Sequence, residues 1–183
     1  MLPAGLPVHA TPYPRFGGYR SRRSGMRSAG GAKRASQRPW GEHMPGTRVV
    51  LDTNVFVAAG FNRRSSSAQI IRGIEQGRFE LVWDQATRRE TERIVRQIPR
   101  LSWQAFAPLF RKEAEYTEEI APGQFLNVED PDDRKFAALS AASGSILITN
   151  DDHLIAPRSI LDIEIRTPTE FLARRESTFP SRG

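Results

Sequence analysis

Four carboxylates are spaced so that chain segments far apart in sequence could bring them to one place. Asp52 directly follows the apolar run Thr47-Arg-Val-Val-Leu51, and Asp151 follows Ser145-Ile-Leu-Ile-Thr149 after a single residue, Asn150. Asp133 comes after the acidic turn Glu129-Asp-Pro-Asp132, at the start of an expected helix. Glu90 lies in the middle of another expected helix. Gathered carboxylates repel, and a cation relieves that repulsion. The hard oxygen donors suit Mg²⁺ or Mn²⁺. No His pair or Cys set suggests zinc. Such a site serves phosphodiester hydrolysis, where one ion, or two roughly 4 Å apart, acidifies water and steadies the leaving oxygen. Each acid also has a plainer explanation. Asp52 would serve as a strand-end turn residue, and Asp151 or Asp132 as a helix N-cap. Glu90, among Arg88, Arg89, Glu92 and Arg93, reads by periodicity as a solvated helix face.

The elements that must position these acids alternate. Strands are expected at 47–51, 79–83, 145–149 and 163–166, the first three as short apolar runs. A first helical turn or two follows Val55. A helix over 68–76 has Ser65-Ser-Ser67 before it and Gly77 after it, and another runs from Asp84 to about Gln97 with Ala86, Ile94 and Val95 inward. Ser102 begins a helix through Phe110 that Pro108 kinks or splits. Residues 116–128 read as irregular or a weak strand. A helix over 132–143 closes on Gly144, and Thr167-Pro168 opens the last one. The alternation predicts a three-layer α/β/α sandwich with a mostly parallel central sheet. In such sheets ligands bind beyond the carboxyl ends of the strands, where Asp52 and Asp151 fall.

The chain has 183 residues, no cysteine and a formal charge of +6. Lack of cysteine excludes disulfide scaffolds and thiolate chemistry and fits a cytoplasmic setting. No apolar run reaches the ~20 residues of a membrane helix, so no membrane role is expected. The charge is local: residues 1–43 carry eight basic residues and one acidic one, whereas 44–183 carry 19 and 20. With seven Gly and five Pro, 1–43 is expected to be a disordered basic extension. Three readings of it stand: an arm on nucleic-acid phosphates, a targeting peptide, or an upstream extension with Met44 as the working start. A domain over 44–175 and a short tail over 176–183 complete the expected division.

Val49-Val-Leu-Asp-Thr-Asn-Val-Phe-Val57 resembles the opening of PIN-domain nucleases. Glu129-Asp-Pro-Asp-Asp-Arg-Lys-Phe-Ala-Ala-Leu139, Ile146-Leu-Ile-Thr-Asn-Asp-Asp-His-Leu154 and Arg166-Thr-Pro-Thr-Glu-Phe-Leu172 resemble that family's later segments in order and spacing. The likeness is greatest to the bacterial toxin components of toxin–antitoxin pairs (VapC-like). It implies metal-dependent endoribonuclease activity that leaves a 5′-phosphate and a 3′-hydroxyl, a cognate antitoxin and a homodimer. By position, Asp52, Glu90, Asp133 and Asp151 match the four acids, with Asp130 and Asp132 as near competitors for the third. Asn54 and Thr149 match the polar residues that orient them. Asn150 departs from the family's glycine, and residues 1–43 have no counterpart in it.

Arg63, Arg64 and Arg134 are candidates for substrate phosphates, and Phe61 or Trp83 for stacking a base, although Trp83 reads more readily as a packed strand residue. His153, without a second His nearby, reads as a helix-turn residue. Two rival readings use the same family resemblance: a PIN-type nuclease for structured DNA or ribosomal RNA processing, and a non-catalytic RNA- or partner-binding module. An aspartyl-nucleophile phosphotransferase would want Asp-x-Asp after the first strand, where the chain has Asp52-Thr53-Asn54.

Overall fold

The computed structural model describes residues 46–178. The expected extension 1–43, Met44 and the end of the expected tail lie outside them. Four strands, β1 (Thr47–Leu51), β2 (Phe79–Leu81), β3 (Ile146–Ile148) and β4 (Ile165–Arg166), form one sheet in the order β2-β1-β3-β4. All its pairings are parallel, with Val49 beside Leu81 and Ile146, Leu51 beside Ile148, and Leu147 beside Ile165. Among the described residues seven α-helices surround it: α1 (Thr53–Phe61), α2 (Ser66–Glu75), α3 (Gln85–Gln97), α4 (Trp103–Phe106), α5 (Arg134–Ser143), α6 (Asp152–Ile155) and α7 (Pro168–Thr178).

Side chains on a strand alternate between faces, and this alternation divides the core in two. Val49, Leu51 and Ile148 join Val55 and Phe56 of α1, Ile70 and Ile74 of α2, Val95 of α3 and Phe171 of α7. Val50 and Leu147 join Phe136, Ala137 and Leu139 of α5 and Leu154 of α6. Covering on both faces is why the central strands read as unbroken apolar runs. The expected three-layer sandwich is the observed one.

Local chemistry sets the helix ends. Ser65 accepts from the Ala68 amide at the start of α2. Asp84 and Thr87 form a reciprocal capping box at the start of α3. Thr167 and Glu170 do the same for α7: the Glu170 amide donates to Thr167 Oγ1 and the Thr167 amide to Glu170 Oε2. Gly144 ends α5 at φ 63°, a left-handed conformation that suits glycine.

The structure departs from the expected elements in three places. Ala86 is exposed; the inward face of α3 is Thr87, Thr91 and Val95. The capping box fixes the phase of the helix, and hydroxyls satisfied by hydrogen bonds take inward positions that an apolar count overlooks. The helix expected through Phe110 stops at Phe106, and Ala107–Leu109 forms a tighter turn containing Pro108. β2 ends at Leu81, two residues before Trp83, which instead bridges Glu115 as the Tyr116 amide donates to the Trp83 carbonyl at 2.7 Å.

Sheet order determines where a site can form. From β1 the chain moves to β2 on one side, then returns to β3 on the other. The connections leaving β1 and β3 turn to opposite faces: α1 packs in the first core cluster, α6 in the second. The sheet therefore has its switch point beyond the carboxyl ends of β1 and β3, the place where ligands bind in such sheets.

Two helical glycines test the packing. A Cβ on Gly73 would meet the Phe79 ring at 2.4 Å, and that ring is held edge-on against Phe171 at 5.0 Å. A Cβ on Gly60 would meet the tip of the half-buried Leu101 side chain, also at 2.4 Å. Gly73→Ala is expected to destabilise by about 1–3 kcal/mol. Gly60→Ala is expected to be neutral within about 1 kcal/mol, since Leu101 can turn aside and alanine favours the helix. Urea unfolding of both variants checks this, and equal costs would contradict it.

Candidate active site

The backbone of β1 delivers Asp52 to this switch point, its amide donating to the Ile148 carbonyl of β3 at 3.0 Å. Its side chain is buried, with only 4% exposed. Although Asp52 occupies the position before α1, its carboxylate makes no capping bond to that helix. Instead Thr149 Oγ1 donates to Asp52 Oδ2 at 2.6 Å. The same hydroxyl oxygen accepts from the Asp151 amide at 2.8 Å and from Asn54 Nδ2 at 3.4 Å. Asn54 Oδ1 in turn accepts from the Asn150 amide at 3.2 Å. One proton given and two accepted use the full capacity of a hydroxyl. Asn54 and Thr149 are thus joined in one network with the Asp52 carboxylate and the Asn150 and Asp151 amides.

The other acids arrive from three directions. Asp133 precedes α5 half-buried, and its side chain makes no capping bond. Asp151 caps α6 by accepting from the His153 amide at 2.9 Å. Glu90, half-buried on α3, is paired with Lys135 of α5. Among the near competitors, Asp132 is exposed with its amide tied to Asp130 Oδ1, and Asp130 is itself exposed.

Charge shows how closely these groups gather. Burial pushes Asp52 up to about 7, opposed by the Thr149 hydrogen bond and the Asn54 backbone amide, and the charges of Asp133 and Asp151 add to the rise. Burial likewise lifts Asp133 to about 6, helped by Asp151, Asp130 and Glu90 and opposed by Lys135. Every acid of the set therefore acts on at least one other. They are not drawn tight, however: among the described residues no three Asp, Glu or His side chains are grouped as a ready-made metal site. The donors fit a hard divalent cation by type, since all four are carboxylates, and burial and neighbouring charge disfavour the ionised forms of Asp52 and Asp133.

The remaining candidates divide. Arg63 and Arg64 are exposed in the turn between α1 and α2. Arg134 is half-buried, its Nε donating to the Val128 carbonyl at 2.9 Å, so it fastens the 116–128 segment to α5. Trp83 is buried, gives its indole N–H to the Arg111 carbonyl at 2.9 Å, and packs on Phe110. Phe61 is 56% exposed. His153 Nδ1 lies 3.1 Å from Glu129 Oε2.

Two features were not singled out in the sequence. Thr53 and Thr91 hydroxyls meet at 3.1 Å, and because Thr91 donates to the Thr87 carbonyl, Thr53 donates to Thr91, tying the start of α1 to α3 beside Glu90. Lys135 is the other. Its signal was a cation in the first turn of a helix, where the helix dipole disfavours it.

The raised carboxyl groups fix a pH dependence. Between 3.8 and about 7 the unfolded chain has released protons that the metal-free fold still holds at Asp52 and Asp133. Their contribution is complete at the acid end of that range and lost as pH rises through about 6 and 7. In EDTA the melting temperature should be higher near about pH 5 than near about pH 8, and Asp52→Asn should flatten the difference and raise melting at the alkaline end. A wild-type profile that rises toward alkaline pH would contradict the assignment.

Comparison with known proteins adds one finding. No curated protein matches the chain. The PIN domain family matches residues 48–153, which span β1 through the start of α6 and include Asp52, Glu90, Asp133 and Asp151. With more than half its length matched in this way, the chain belongs to the PIN domain family, whose members are generally nucleases.

Proposed function

We propose that the protein is a Mg²⁺- or Mn²⁺-dependent endoribonuclease, the toxin component of a toxin–antitoxin pair. The observation that supports this reading most is the buried Asp52 carboxylate, held by Thr149 at the switch point of the sheet and coupled by charge to Asp133 and Asp151. A buried acid that sits among other acids costs stability, and function is a frequent reason for such a cost. In this reading Asp52, Glu90 and Asp133 hold the cation, and Asp151 assists them from the start of α6. The cation supplies an acidified water and charge neutralisation at the phosphate. Thr149 fixes the direction of Asp52 through its hydroxyl proton, and Asn54 steadies Thr149 and the Asn150 backbone. Orientation of this kind raises the affinity and activity of a metal site by about 10–100-fold.

The substrate is RNA, cut to leave a 5′-phosphate and a 3′-hydroxyl. Arg63 and Arg64 are the exposed candidates for its phosphates, and Phe61 for stacking a base. Arg134 gives its Nε–H to the Val128 carbonyl, which uses one of the five donors of its guanidinium. A cognate antitoxin, a homodimer and a cytoplasmic location complete the proposal. Among the described residues no helix is long and apolar enough to cross a membrane.

Incubation of the full chain with labelled single-stranded RNA and Mn²⁺ or Mg²⁺ tests the reading. Cleavage should stop with EDTA and fall about 100-fold or more in Asp52→Asn. Thr149→Val should reduce it about tenfold or more while the protein stays folded. Cleavage that persists undiminished in folded Asp52→Asn would place the chemistry elsewhere. Binding of RNA and Mn²⁺ without cleavage of any substrate would favour a non-catalytic binding module.

A further inference from the structure

We propose that Lys135 is a resident counter-cation of the acid cluster, holding Glu90 toward α5 and competing with the divalent ion for that carboxylate. This rests on the metal-site reading above and concerns how readily the site takes its ion.

Lysine normally extends its ammonium into water, and an ammonium withdrawn from water needs partners. The Lys135 side chain is only 15% exposed, and that of Glu90 20%. The ammonium has three partners: the Glu90 carboxylate, the Asp132 carbonyl and the face of Phe136, whose ring centre is 5.2 Å away. Of the charged groups that shift Asp133, Lys135 favours its ionised form while Asp151, Asp130 and Glu90 oppose it. Lys135 therefore lies within the field of the cluster and is not a bystander on the outer helix face.

Its position has two consequences. Without metal, the ammonium offsets part of the repulsion among Glu90, Asp133 and their neighbours and links α3 to α5. When a divalent ion arrives, Glu90 must share its charge between the ammonium and the ion, so uptake is weakened. Lys135 is in this sense a positioning residue that acts through Glu90. An ordinary structural ion pair would behave differently. Removing it would lower stability and leave ion affinity unchanged or poorer.

Calorimetric titration of Mn²⁺ into the full chain, without RNA and at low salt, separates the two. Lys135→Gln should melt lower than wild type in EDTA yet bind Mn²⁺ about fivefold more tightly, with a larger rise in melting temperature on adding Mn²⁺. Lys135→Arg keeps the charge and should stay within about twofold of wild type. In a Glu90→Gln background, Lys135→Gln should change the affinity by less than about twofold, because the contested carboxylate is gone. Unchanged or weaker Mn²⁺ binding by folded Lys135→Gln would overturn the proposal. An equal gain with and without Glu90 would also overturn it, since it would show a general field effect. If wild type and every variant fail to take up Mn²⁺, the metal-site reading falls and this inference with it; if wild type binds and Lys135 has no effect, only this inference falls.

Discussion

The hydrogen bond from the Thr149 hydroxyl to Asp52 is the contact on which the arrangement of the site depends. It joins the carboxyl ends of two adjacent strands, and it exists because Leu51 of β1 lies beside Ile148 of β3. A register shift of one residue would turn Thr149 to the opposite face and leave Asp52 without its donor. Since the hydroxyl has one proton and gives it to Asp52, its oxygen is left to accept from Asn54 and from the Asp151 amide. A single side chain thus sets the direction of the first acid and the path of the backbone leading to the last.

Burial makes this contact consequential. Asp52 is buried just beyond β1, so its charge is poorly solvated, and the hydrogen bond recovers only part of the loss. The site is therefore unfavourable to the metal-free fold near neutral pH. The fold offsets that cost elsewhere, chiefly through a parallel sheet buried on both faces and an aromatic group in which Phe56 packs on Phe106 and Phe110. Arg88 lies over both Trp83 and Trp103, closing this group on the α3 side. Rigid packing behind the site and poorly compensated charge within it are the two conditions under which a cation can be bound strongly by few groups.

The three helices that carry or follow the remaining acids are fastened differently. α3 is tied to α1 by the Thr53–Thr91 pair and begins at a capping box, so Glu90 inherits a fixed phase from residues that do no chemistry. α5 begins at Asp133 without a capping bond from that side chain, and Lys135 reaches back to the Asp132 carbonyl. The Asp133 carboxylate is therefore left available, at the expense of an unsupported helix start. Asp151 does cap its short helix, so the plain reading of that residue as a helix cap holds.

The sequence by itself determined the alternating layout, the strand segments, the helix ends at Ser65, Asp84, Gly144 and Thr167-Pro168, and the placement of Asp52 and Asp151 at the carboxyl edge. These follow from local rules: apolar runs, capping side chains and glycine's access to positive φ. Its periodicity leaves Glu90 indistinguishable from a solvated helix residue, and it misjudged the inward face of α3 by counting Ala86 and missing Thr87 and Thr91. Pro108 announced a break without fixing that the helix would end at Phe106. Only the tertiary structure decided that Thr149 would spend its proton on Asp52, that Arg134 would fasten a loop and Trp83 would be buried, and that Lys135 would turn inward to Glu90. The physical reason is that a polar side chain's partner is set by strand register and helix packing, which bring Thr149 to an acid 97 residues away and Trp83 to a carbonyl 28 residues away, and no local pattern encodes such distances.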